Sequence, residues 1–75
     1  MEPGEAFGKI LRDRRKERAL SQEKLALDAG LERVFISMLE RGHRQPTFQT
    51  MLKLATPLGC SASDLVADAE KLLGK

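Results

Sequence analysis

The stretch from Leu20 to Gly42, LSQEKLALDAGLERVFISMLERG, leaves the chain few folds to choose from, because it writes two short amphipathic helices around a single glycine. Ser21 is placed to cap the backbone N–H groups of a helix starting at Gln22, and Gly42 can supply a left-handed stop at the far end. Leu25, Ala26 and Ala29 share one face of the first helix, and after Gly30 the residues Leu31, Ile36 and Leu39 repeat at helical spacing. The two apolar faces therefore pack together. Small Ala26 allows close backbone approach, and Gly30 tolerates the positive φ that a three-residue turn between such helices requires. The pattern predicts a helix-turn-helix.

The outward face of the second helix carries the functional information. At 100° per residue from Arg33, the residues Arg33, Val34, Ser37, Met38 and Arg41 fall within one arc of about 140°. Glu32, Phe35, Ile36, Leu39 and Glu40 take the other side. The first arc mixes two arginines, a hydroxyl and two apolar side chains, and it holds no acid, although 32% of the chain is charged. That mixture suits a DNA major groove: arginine bonds guanine O6 and N7 bidentately, serine reaches a phosphate or base edge, and Val34 or Met38 can touch a thymine methyl. The plainer reading is that Val34 and Met38 are scattered surface hydrophobes, which occur on any protein.

Taken with flanking motifs, these residues resemble the lambda-repressor-like or Cro-type helix-turn-helix proteins, the xenobiotic-response-element family of bacterial and phage regulators. The resemblance is carried by Leu20-Ser21-Gln22-Glu23-Lys24-Leu25-Ala26, by Ala29-Gly30-Leu31, by Ile36-Ser37 with Leu39-Glu40-Arg41-Gly42, by Pro46-Thr47, and by Leu52-Lys53-Leu54-Ala55 with Leu58-Gly59. It spans Phe7 to Val66. It implies an all-α, compact five-helix domain that binds double-stranded DNA as a homodimer on an inverted-repeat operator and regulates transcription as a repressor, autoregulator or restriction-modification controller. Arg33, Val34, Ser37 and Met38 are then the base-contact candidates. Ser21, Gln22, Arg41, His43, Arg44, Gln45 and Thr47 are the backbone-contact candidates, with the N-termini of the helices after Ser21 and Thr47 favouring phosphate. The family also implies a structural pair, Arg15 with Glu40; direct phosphate contact by Arg15 is the alternative role. Phe35 has two readings, core packing or stacking on the sugar-phosphate backbone. A rival class is a protein-interaction module of the same fold, such as an antitoxin or a transcription coactivator, and steep salt dependence of binding would separate the two.

Five helices and no strand are expected. The first runs from Gly4 or Glu5 to Arg18, with Phe7, Ile10 and Leu11 inward. Pro46 and Thr47 open the fourth, which buries Phe48, Met51, Leu52 and Ala55 and ends or kinks near Thr56 ahead of Pro57. The fifth begins at Ser61, where Asp64 three residues on completes a capping-box pattern. Its Leu65, Val66, Ala69, Leu72 and Leu73, within residues 61–73, are the candidate dimer interface, with intrachain packing claiming Leu65 first. Two positions depart from the family pattern. Arg14 stands on the inward face of the first helix, where its stem can cover apolar surface while the guanidinium reaches water. Glu32 replaces the usual serine or threonine cap of the recognition helix, so that helix start is poorly capped or relies on charge against the helix dipole.

Length and charge exclude other classes. Seventy-five residues make one domain, 1–75, whose small core favours dimerisation. No apolar run is long enough to span a membrane and no secretory signal is evident, so a cytoplasmic location is expected. Cys60 has no disulfide partner and only His43 as a nitrogen companion, which gives no zinc set; Cys60 reads as a small core residue. No catalytic constellation, metal site, cofactor or small-molecule substrate is expected. The net charge is only +2, but Lys9–Arg18 holds six bases against two acids and 41–63 holds bases alone. Asp64, Asp68 and Glu70 gather at the other end, as a DNA-facing surface opposite a partner-facing end requires.

Overall fold

The computed structural model describes residues 1–75 and contains five helices and no strand: α1 (Pro3–Glu17), α2 (Gln22–Ala29), α3 (Arg33–Glu40), α4 (Phe48–Leu58) and α5 (Ala62–Leu72). Local signals set most boundaries. Ser21 accepts from the Lys24 N–H at 2.9 Å, Thr47 from Thr50 at 3.1 Å, and Ser61 from Asp64 at 3.1 Å. Asp64 returns the bond by accepting from the Ser61 N–H, which holds its carboxyl below its usual range. α1 starts earlier than expected, at Pro3, because proline forfeits an N–H that has no partner in the first turn and Glu5 closes the turn by accepting from the Glu2 N–H.

Leu11, Leu25, Ile36, Leu39, Leu54 and Leu65 are completely buried and bring all five helices to one core. α1 packs on α3 and α5, and α2 packs on α3 and α4. Gly8 makes the first of these contacts possible. A Cβ there would stand 2.3 Å from the Leu39 carbonyl oxygen and 2.8 Å from that of Glu40, so the backbones of α1 and α3 meet without a side chain between them.

The structure corrects four expectations. In α4 the buried residues are Thr50, Leu54, Ala55 and Leu58, whereas Phe48 and Leu52 are exposed and Met51 is half-buried. The two faces have the same helical spacing, and Thr50 is admitted to the interior because its hydroxyl pairs with that of Thr47 at 3.0 Å. The same helix runs through Pro57 to Leu58 and stops at Gly59, which adopts φ 71°. Pro57 lies in the last turn, so it costs a single bond, to the carbonyl of exposed Lys53, instead of breaking a ladder. Arg14 is half-buried and not left to water alone: its Nε donates to Asp68 at 2.6 Å and ties α1 to α5. Leu65, offered above for the dimer interface, is fully buried in the core of its own chain and is removed from that set.

Candidate nucleic-acid interface

α2 ends at Gly30, whose φ of 70° allows the Leu31 N–H to reach back to the Ala26 carbonyl at 2.8 Å and the Gly30 N–H to reach Leu27 at 3.3 Å. This double bond pattern turns the chain in a few residues and delivers Glu32 at the start of α3. Glu32 caps through its backbone conformation, with no side-chain bond. α3 then inserts Ile36 and Leu39 into the core, which leaves Arg33, Val34 and Arg41 exposed and Ser37 and Met38 half-buried on the outer side. The acid-free arc read from helical counting is thus a continuous face.

Beyond α3, Gly42 takes φ 76° and the His43 N–H bonds the Met38 carbonyl at 2.9 Å, which closes the helix and turns the chain along the start of α1 at Gly4 and Glu5. His43, Arg44 and Gln45 are exposed on this loop, and Thr47 begins α4. The Arg44 guanidinium sits 6.0 Å from the centroid of the Phe35 ring, at the outer limit of a cation–π contact. Phe35 itself is half-buried against the core, which favours the packing role over stacking on DNA. The first N–H groups of α2 and α4 lack intrahelical acceptors by construction, so each of these helices begins at a positive end.

Behind that face lies a polar cluster. Arg15 donates through Nε to Glu40 Oε2 at 2.6 Å, through Nη2 to Oε1 at 2.9 Å and through Nη1 to the Leu20 carbonyl at 2.8 Å. Only 11% of the Arg15 side chain and 4% of the Glu40 side chain are exposed. The hydrogen bond to Glu40 raises the Arg15 pKa above its usual value, outweighing desolvation. Gln22 completes the cluster: its Nε2 donates to Glu40 Oε1 at 3.0 Å. The side-chain amide expected on a phosphate is therefore turned at least partly inward, and at this position the backbone N–H groups of α2 are the free donors. This contact joins residues 18 apart in sequence and had no local signal. Cys60 is half-buried at the margin of the core, where burial pushes its thiol pKa up.

Two short helices joined at a left-handed glycine, with the second presenting a basic and apolar outer face, define a helix-turn-helix unit. The chain belongs to the helix-turn-helix family, whose model matches residues 11–65. The control protein C.MunI of Mycoplasma sp is 38% identical over 66 residues, covering 87% of this chain and 89% of that one. Among solved structures, the restriction-modification controller protein C.AhdI of Aeromonas hydrophila is 40% identical with a TM-score of 0.80, over 83% of this chain and 94% of that chain. SinR, a master regulator for biofilm formation solved in complex with DNA, is 30% identical with a TM-score of 0.76, over 80% of this chain and 97% of that chain. No helix here is long and apolar enough to cross a membrane.

Proposed function

We propose that this protein binds double-stranded DNA in a sequence-specific manner, as a homodimer on an inverted repeat, and controls transcription without chemistry of its own from a cytoplasmic location. The observation that carries the reading is the acid-free outer face of α3, with Arg33, Val34 and Arg41 exposed along it. Arg33, Val34, Ser37 and Met38 meet base edges in the major groove. Arg41, His43, Arg44 and Gln45 hold the sugar-phosphate backbone, and the capped starts at Ser21–Gln22 and Thr47 supply backbone N–H donors to phosphates on either side. Val66 and Leu72, each 41% exposed, with half-buried Ala69 and Leu73, form the self-association face on α5. Similarity to C.MunI and C.AhdI over most of their lengths favours the controller reading within the regulator class.

Selection of bound sites from a random duplex pool, followed by a salt titration on the winner, tests the proposal. An inverted repeat is expected. Arg41 and Arg44 on two protomers give four phosphate neutralisations, hence a log–log salt slope of about −3.6. Absence of a selected motif together with a slope near zero would refute DNA reading and favour an apolar protein interface.

A further inference from the structure

α3 is held by few points for a helix that must read bases. It has eight residues, no side-chain cap at Glu32, and only Ile36 and Leu39 fully buried. At 1.5 Å per residue it is about 12 Å long, so a tilt of about 5° at one end moves the other by about 1 Å. Recognition geometry tolerates about 0.5 Å. Beyond its packing on α1 and α2 and the close approach at Gly8, the helix is tied by polar bonds at Glu40 in its last turn, whose carboxylate takes two donors from α1 through Arg15 and one from α2 through Gln22. Arg15 fixes Glu40 against α1 and, through the Leu20 carbonyl, against the residue before the Ser21 cap, while Gln22 is the one side chain of α2 itself that bonds it.

We propose that Gln22, by donating from Nε2 to Glu40, is a positioning residue that sets the orientation of α3 relative to the α2 phosphate anchor and thereby governs discrimination between DNA sequences. This deepens the DNA-binding reading and rests on it. Glu40 is almost fully buried, so an amide that satisfies one of its lone pairs there has no replacement from water.

Gln22→Met, equal in reach and lacking donors, is compared with wild type for affinity to the selected site and to a scrambled duplex. The expected result is a loss of about tenfold on the selected site, about 1.4 kcal/mol and just under the range of about 1.5–3 kcal/mol for a hydrogen bond to a charged group, with less than a twofold loss on the scrambled duplex. Equal losses on both duplexes would reduce Gln22 to a phosphate contact and overturn the proposal, as would unchanged affinity for both. Gln22→Glu supplies a readout without DNA. If the side chain abuts Glu40, two carboxylates share one site, so the midpoint of thermal unfolding should rise relative to wild type as pH falls from 7 to 5 and a shared proton restores the bond. A pH profile parallel to that of wild type would refute the contact. Failure of the wild-type protein to discriminate the two duplexes at all would instead sink the DNA-binding reading itself.

Discussion

Replacing Arg15 by methionine should unfold a large part of this protein's stability margin without touching its surface. The side chain makes three hydrogen bonds, two of them to Glu40, and both partners are withdrawn from water. Methionine fills most of the same volume but leaves the Glu40 carboxylate with the single amide of Gln22. Breaking a buried pair by removing one partner costs about 3–5 kcal/mol; the residual exposure of Arg15 points to the lower end, about 3 kcal/mol. A 75-residue chain at 0.05–0.15 kcal/mol per residue has about 4–11 kcal/mol in total. In urea, with a slope of about 1 kcal/mol/M, the midpoint should drop by about 3 M, and the drop should be the same in 0.1 and 1 M salt because the pair is screened little. The double replacement Arg15→Met with Glu40→Met removes both charges and should recover at least half of the loss. A single-variant cost under about 1 kcal/mol, or a double variant as costly as the two singles summed, would show that burial of an unmatched carboxylate is not what the pair prevents.

Four further outcomes are expected. Gly8→Ala places a Cβ 2.3 Å from the Leu39 carbonyl oxygen and should lower stability by about 1–3 kcal/mol in urea unfolding; an unchanged midpoint would mean that α1 and α3 can separate freely. Ala19 closes α1 with φ 56°, and Ala19→Gly should raise stability by about 0.5 kcal/mol, as relief of the left-handed cost of about 1–2 kcal/mol exceeds glycine's added entropy of about 0.5–1 kcal/mol; a lower melting temperature would contradict this. Asp64 has its pKa lowered by the Ser61 N–H, so its contribution to α5 is fully present above its unfolded pKa of about 4 and disappears as pH falls through the lower folded value. Asp64→Asn should accordingly be less sensitive to acid over that window, measured by helicity. Arg33→Ala should cost about 1–3 kcal/mol on the selected DNA site and little on scrambled DNA, and equal losses would assign Arg33 to phosphate.

Features set by neighbours in sequence were legible before any packing was known. The caps at Ser21, Thr47 and Ser61 and the left-handed corner at Gly30 are bonds between residues three to five apart, so residue type and spacing specify them directly. The same holds for the outer face of α3, because apolar Ile36 and Leu39 leave only one side for Arg33, Val34 and Ser37. In α4 that logic had no purchase. The sets Phe48, Met51, Leu52, Ala55 and Thr50, Leu54, Ala55, Leu58 are both helical stripes, and choosing between them requires knowing where α2 and α5 lie. Apolar character alone points to the stripe containing Phe48, which is 68% exposed.

The sequence by itself determined the five helices, the corner at Gly30 and the residues that α3 turns outward, since these follow from short-range hydrogen bonds and the 3.6-residue period. Tertiary structure alone decided which distant partners Arg14, Gln22 and Gly8 find. Arg14 meets Asp68 from 54 positions away, Gln22 meets Glu40 from 18 away, and Gly8 lies against the carbonyls of Leu39 and Glu40. Such contacts depend on where whole helices come to rest, which is settled by filling one shared core and satisfying every charge buried beside it.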